Sequence, residues 1–288
     1  MSDLTQDAVD KWIQLTATGQ FHYKQILEGL VSPKLHPTLR VYVRRAVDKG
    51  IAVNVNGKDG WYRPVEKESE EIRWWEGIAE GSALKLPLDL HEYANIYRPA
   101  LIVVAGQWNQ GKTAFILNTL KLNLTTFKDN IHLFVSEAPE MLKNRFIQLG
   151  IIGEEEPEWK TWKRTRNFQD AIVSDALNLV DYLRVDMEKP YAVSGELLKI
   201  YEALGKKGIA VVAMQKPSGN RGMAFGGEST AFEPALYIAI GKGKMWFEKI
   251  KSPTLKGDFD PYNITFSFRI SRGVNFYDVS WETGRLDT

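Results

Sequence analysis

The chain has no cysteine among its 288 residues, which removes disulfide frameworks, cysteine-ligated zinc and thiol catalysis. Histidine is nearly as scarce: His22, His36, His91 and His132 lie too far apart in sequence to suggest a metal site. An excess of either charge is missing too. Against 36 Asp and Glu stand 37 Lys and Arg, a net of +1, so no global basic field announces nucleic acid and any such surface has to be local. No apolar run approaches the roughly 20 residues of a membrane span, and the opening MSDLTQDAVDKW carries neither the basic n-region nor the apolar h-region of a signal peptide. The expectation is a cytoplasmic protein with no membrane partner.

The length allows a small domain plus a medium one. Residues 7–63 carry the pattern of three helices, DAVDKWIQL, FHYKQILEGL and PTLRVYVRRAVDKG, the last stopping at Gly50. Two alternating runs follow, IAVNV and GWYRPV, separated by a segment whose Asn56-Gly57 is a hairpin signal. Three helices and a β-wing predict a winged helix-turn-helix over residues 1–63. Its third helix presents Arg40, Arg44 and Arg45, candidates for DNA contact, although such modules also dock proteins. A charged linker is expected over residues 64–83, with Trp74-Trp75 anchoring it on a domain.

From residue 84 to residue 288 a second domain is expected. Short apolar runs, ALIVVA, IHLFVS, ALNLVDYL and IAVVAMQ, alternate with amphipathic helical stretches, KTAFILNTLKLNL, PEMLKNRFIQLG and SGELLKIYEALGKKG. In the last of these, Leu197, Leu198, Tyr201 and Leu204 are predicted to share one face. The alternation predicts an α/β fold with a mostly parallel sheet. Four later runs, PALYIAI, KMWFEKI, NITFSFRI and VNFYDVSW, extend it with antiparallel edge strands. WKTWKRTR, residues 159–166, reads as a solvated amphipathic helix.

Gly106, Gln107, Trp108, Asn109, Gln110, Gly111, Lys112 and Thr113 fit the pattern G-x-x-x-x-G-K-[ST], between a buried strand and a helix. The glycines let the backbone curl so that its N–H groups face inward, and the following helix adds its positive dipole end. This is a turn for a nucleoside triphosphate, expected to be ATP: Lys112 would reach the β- and γ-phosphates and Thr113 would ligate Mg²⁺.

Turnover needs further groups. Asp181, at the end of ALNLVD, is the expected Mg²⁺-side carboxylate, with Asp186 its rival. Glu137 ends HLFVSE as either the general base on water or a carboxylate complementing the next helix, a role open to Glu140 as well. Gln215 ends IAVVAMQ, placed to sense a γ-phosphate, and leads into KPSGNRGMAFGGESTAFE. That glycine-rich segment reads as a polymer-binding loop in which Lys216 and Arg221 meet phosphates and Phe225 stacks on a base, or else as a plain surface loop.

LIVVAGQWNQGKTAFILNTL, HLFVSEAPEMLKNRF, DALNLVDYLRV and IAVVAMQK occur in the order and spacing of the RecA-like core of DnaB-type replicative helicases and RecA recombinases, which the chain resembles over about residues 84–284. GVNFYD is similar to the terminal strand of that core. The resemblance implies ATPase activity, head-to-tail assembly as a ring or filament, and active sites shared between neighbours. It also implies that Lys249 and Lys251, in FEKIKSP, are the basic pair reaching across that interface. Cations two apart on a strand point to the same side, though such a pair also serves simply to protect an edge strand. Three features depart from the helicase pattern: a winged helix is expected where those helicases have a helical N-terminal domain and linker helix, Lys251 stands where they have Arg, and Glu137 follows Ser136 directly. The expected function is an ATP-dependent DNA-binding protein of replication or recombination. The alternatives are a DnaB-type hexameric helicase and an ATP-switched regulator with little turnover.

Overall fold

The computed structural model describes residues 4–17, 19–27, 32–55, 58–65, 72–77, 80–152, 157–184, 186, 190–218, 222–254 and 260–283. The chain divides into two units, Met1–Gly77 and Ile78–Thr288.

In the first unit, helix α1 (Gln6–Leu15) starts where the Thr5 side chain accepts the Ala8 N–H, an N-cap that satisfies one of the helix's open donors. It buries Val9 and Ile13, one turn apart. Strand β1 (Phe21–His22) and a 3-10 turn over Tyr23–Gln25 follow, so the second helix expected from residue 21 onward does not form there. The reason lies in the partners. Phe21 pairs with Tyr62 and packs edge-on against Trp12, while His22 and Gln25 cap each other's turn. Residues 28–30 of that expected helix lie outside the described residues.

Helix α2 (His36–Asp48) buries Leu39, Val43 and Ala46 and stops where Gly50 takes φ 67°, its N–H donating to Val47 O. Strands β2 (Ala52–Asn54) and β3 (Trp61–Pro64) form the expected antiparallel hairpin, and β1 joins it to give the order β1-β3-β2. The predicted turn residues Asn56 and Gly57 lie outside the described residues. In the linker, Trp74–Glu76 make a single 3-10 turn, and Trp75 is exposed.

The second unit is a nine-stranded sheet. In chain order its elements are β4 (Ala100–Gly106), α3 (Lys112–Phe127), β5 (Ile131–Val135), α4 (Pro139–Leu149), β6 (Lys160–Lys163), β7 (Leu177–Leu183), α5 (Val193–Glu202), β8 (Ile209–Gln215), β9 (Leu236–Gly241), β10 (Lys244–Ile250), β11 (Ile264–Ser271) and β12 (Asn275–Thr283). The strand order is β12-β11-β10-β9-β4-β8-β7-β5-β6. Strands β9, β4, β8, β7, β5 and β6 are mutually parallel, and β10 to β12 are antiparallel.

Alternation along β4 divides the core in two. Ile102 and Val104 pack with Phe115, Leu117 and Leu120 of α3 and with Leu142 and Phe146 of α4. Leu101, Val103 and Ala105 pack with Val193, Leu197, Ile200 and Leu204 on the side of α5. Every residue of β4 is buried, as a strand covered on both faces requires.

Three expectations are corrected. Residues 160–163 form a parallel edge strand on β5, not a helix, because their backbone completes the ladder from His132↔Lys160 to Val135↔Lys163. On α5 the core face runs through Val193, Leu197 and Ile200, leaving Leu198 39% exposed. Of the four late strands, β9 is parallel to its neighbour β4, and the antiparallel edge begins only at β10.

The approach to β4 is also part of this unit. Leu84, Leu86, Leu90 and Tyr93 enter the core on the α3 side. Asn123, fully buried on α3, accepts the Lys85 N–H at 3.0 Å and donates to Lys85 O at 2.7 Å. No helix among the described residues is long and apolar enough to cross a membrane. Asn123→Ala is expected to destabilise the protein by about 1–3 kcal/mol, because it removes the partner of both the N–H and the C=O of Lys85 and leaves a gap at a fully buried position. Urea unfolding measures this, and a loss below about 0.5 kcal/mol, the usual range for surface changes, would refute the clamp.

Candidate functional site

Strand β4 ends at Gly106, and a Cβ there would stand 3.2 Å from Lys112 Cγ and 3.3 Å from Ile240 Cβ, so a side chain would fit only if these neighbours gave way by a few tenths of an ångström. The turn then uses Asn109 at φ 57° and Gly111 at φ 108°. A Cβ on Gly111 would come within 2.6 Å of Ile270 Cδ1. Gly111 is the cap of α3 and provides no side-chain acceptor, so the helix presents bare N–H groups and its positive end to the turn. Trp108, at the turn, is 75% exposed.

Lys112 is the first residue of α3 and only 8% exposed. Its ammonium donates to Gly106 O at 2.9 Å, Gln107 O at 2.7 Å and Gln215 Oε1 at 3.2 Å. Burial pulls its pKa down to about 8, with Lys216 adding to the shift and Asp181 opposing it. Gln215 is there because β8 lies beside β4 in parallel register, Gly106 opposite Gln215.

Asp181 sits on β7, level with Val135 at the end of β5, and is 5% exposed. It is not the strand's last residue, since β7 continues to Leu183. Its pKa is raised to about 6, chiefly by burial and with the help of Glu137, against a hydrogen bond with the Thr113 side chain and the charges of Lys112 and Arg145. Asp186 is exposed, so of the two candidates only Asp181 joins this cluster.

Glu137 accepts a hydrogen bond from Arg145 Nη2 at 2.8 Å, both side chains being mostly buried. Its Oε2 has no protein partner. Arg145 was not foreseen: it lies on the exposed-patterned side of PEMLKNRF, and nothing local to it signals a carboxylate at residue 137. Glu140 is exposed, in the first turn of α4. Lys112, Thr113, Glu137, Asp181 and Gln215 are therefore brought together, with Arg145 as an additional member.

The glycine-rich loop departs from expectation. Lys216 is only 4% exposed, with its ammonium 4.8 Å from the centroid of the Trp246 ring. Burial lowers its pKa, with Glu248 opposing. The Trp246 ring and the charge of Glu248 offset that cost and keep the ammonium away from the loop surface. Phe225 is half-buried and its N–H donates to Gln215 O at 3.0 Å, closing the loop at its base. Ala224 N donates to the buried Tyr237 hydroxyl at 2.9 Å. Arg221 lies outside the described residues.

Lys249 and Lys251 are not at this cluster. Lys249 is paired with Tyr237, which is level with Val103 in the middle of β4, and the Lys251 N–H donates to Ala235 O, just before β9, so both lie back along the strands from the end where the turn begins. The Lys249 ammonium donates to Ala231 O at 2.6 Å and Phe232 O at 2.9 Å. Burial and the nearby charge of Lys251 lower its pKa, and Lys251 is exposed.

In the first unit, Arg40, Arg44, Asp48 and Asp59 line an open groove of about 640 Å³ beside α2 and β3. Arg40 is bound to Asp59 at 2.5 Å and lies 5.7 Å from the Tyr23 ring, and Arg45 lies over Tyr42. The groove thus carries both signs of charge, and Arg40 spends its charge within the unit.

The fold and the cluster define a mixed α/β protein with a nine-stranded, mostly parallel sheet, a separate three-stranded antiparallel sheet, and a lysine-bearing glycine turn at the end of a central strand. No protein-family model matches the chain, and no curated protein matches it.

Between 3.8 and about 6, burial keeps more Asp181 protonated in the folded chain than in the unfolded one. This favours folding at low pH and is lost as pH rises through about 6. Asp181→Asn should therefore raise the melting temperature of the ligand-free protein at neutral pH, by the equivalent of about 1–3 kcal/mol, with the gain shrinking toward pH 4. A gain independent of pH would refute the burial of a charged carboxylate.

Proposed function

We propose that the chain is a Mg²⁺-dependent ATPase with a RecA-like P-loop core that binds DNA in replication or recombination and assembles with copies of itself. The observation that carries this reading is Lys112. A nearly buried ammonium on a turn with bare helix N–H groups is held only by neutral oxygens, beside Thr113 and Asp181. A triphosphate supplies anionic oxygens to Lys112 and the turn's N–H groups, and Mg²⁺ supplies a cation to the buried carboxylate. The Thr113 hydroxyl and the Asp181 carboxylate are hard oxygen donors and few, which suits an ion that keeps waters and phosphate oxygens in its shell.

In this reading Glu137, oriented by Arg145, accepts a proton from the attacking water, and Gln215 turns its amide to the terminal phosphate when Lys112 leaves its side-chain oxygen. Lys249 and Lys251 lie away from their own chain's turn, which supports their serving a neighbour's phosphates. Such a trans-acting cation is worth about 10³–10⁵ in rate in other P-loop enzymes. DNA contact falls to Arg44 and Arg45, to Arg40 once it leaves Asp59, and to the glycine-rich loop. A second reading, an ATP-switched regulator with little turnover, is favoured by the Glu137–Arg145 ion pair and the withdrawn Lys216, which together describe a quiescent site.

MgATP hydrolysis by the full chain, with and without single-stranded oligonucleotide, tests both. The first reading expects severalfold stimulation by DNA and a loss of at least about a hundredfold in Lys112→Ala, about 2.7 kcal/mol of barrier. Equal rates with and without DNA favour the switch, and absence of ATP binding sinks both. Lys251→Ala and Asp181→Ala subunits, each inactive, should regain activity when mixed; no rescue at any ratio defeats the shared site.

A further inference from the structure

The glycine turn and the glycine-rich loop are far apart in sequence, yet one side chain of the turn reaches the loop directly. Gln107 Nε2 donates to Pro217 O at 3.2 Å. Proline has no backbone N–H, so this carbonyl is the only polar group Pro217 has. The donor is itself held by a neighbour: the Gln107 N–H donates to Gln110 Oε1 at 2.8 Å, and Gln110 Nε2 donates to Gln107 Oε1 at 3.3 Å. Gln110 therefore engages both the backbone and the side chain of Gln107, leaving the Gln107 amide hydrogens to face the loop. The third element is Lys112, which donates to the carbonyl of the same residue, Gln107 O, at 2.7 Å.

Among the described residues, backbone N–H groups of the loop also hold it in place. The Lys216 N–H donates to Gly106 O, Phe225 N–H to Gln215 O and Ala224 N–H to the Tyr237 hydroxyl; the acceptors are two strand-end carbonyls and a core side chain. The bond from Gln107 is made by a side chain of the turn, on a residue whose peptide is held by Lys112 on one side and Gln110 on the other. An anion seated on the turn competes for the Lys112 ammonium, frees the Gln107 carbonyl and changes the setting of the peptide that aims the Gln107 side chain at Pro217.

Resting on the function proposed above, we infer that Gln107 is a positioning residue that couples occupancy of the turn to the conformation of the glycine-rich loop, with Gln110 setting its side-chain orientation. Coupling of this sort is reciprocal: a polymer that moves the loop changes the turn's affinity for nucleotide by the same factor by which nucleotide changes affinity for the polymer.

The test uses the full chain and two variants. Gln107→Met keeps the length and loses the amide; Gln107→Glu keeps an acceptor for Gln110 and loses the donor to Pro217. Affinity for Mg²⁺ with an imido analogue of ATP is measured with and without a saturating oligothymidylate, and amide hydrogen exchange is followed in peptides covering Lys216 to Phe225 without ligand. Wild type should show a coupling factor of roughly 5- to 150-fold, the usual span of such linkages. Both variants should bring it within about twofold of unity, and the loop peptides should exchange faster while those of β8 do not change. A wild-type factor of one, a wild-type factor retained in either variant, or loop exchange unaltered in both, overturns the inference and leaves the proposed function standing. Failure of wild type to bind the nucleotide overturns the proposed function and the inference with it.

Discussion

A single ammonium group, removed from water at the end of a central strand, sets the terms for everything around it. Lys112 can stay charged in that position only if oxygens surround it, and each of the three it has found comes from a different requirement of the fold. Gly106 O is available because β4 ends there; Gln107 O because the turn curls back; Gln215 Oε1 because β8 runs parallel to β4 and stops at the same level. An antiparallel neighbour at that place would present the start of a strand and a different side chain. The parallel register of the sheet and the solvation of one lysine are thus one constraint seen twice.

The groups next to it extend the same logic. Glu137 opposes the ionisation of Asp181, while Lys112 and Arg145 favour it, so charges of both signs meet in the cluster. The Arg145–Glu137 contact holds one carboxylate in place while leaving its second oxygen without a protein partner.

Much of this was legible in the sequence, and the reason is local. The glycine spacing of residues 106–113, the apolar runs that became β4, β5, β7 and β8, and the carboxylate on ALNLVDYL are patterns written within one element or one turn. What failed was decided by contacts between distant segments. Phe21 and His22 carry a helix-like pattern but find β3, whose Tyr62 and Trp61 offer sheet partners. Residues 160–163, exposed throughout, have no apolar alternation to betray a strand, and only the free edge of β5 makes them one. Lys216 reads as a cation for a ligand until Trp246, from another strand, covers it. Arg145 and the Gln107–Gln110 pair were invisible for the same reason, since hydrogen-bond partners of side chains leave no periodicity.

The reversal of direction between β9 and β10 carries the lysine pair back along β9, away from Ile240, which is level with Gly106 where the glycine turn begins. Strand β9 is consequently a ruler, advancing about 3.3 Å with each residue, and the separation it sets is indifferent to the length of the surface loop that precedes it. Lengthening that loop would leave this spacing as it is. Inserting one residue inside β9 is another matter, because it would shift one end of the ruler against the other and turn the Tyr237 hydroxyl from Ala224 and Thr230 to the opposite face of the sheet.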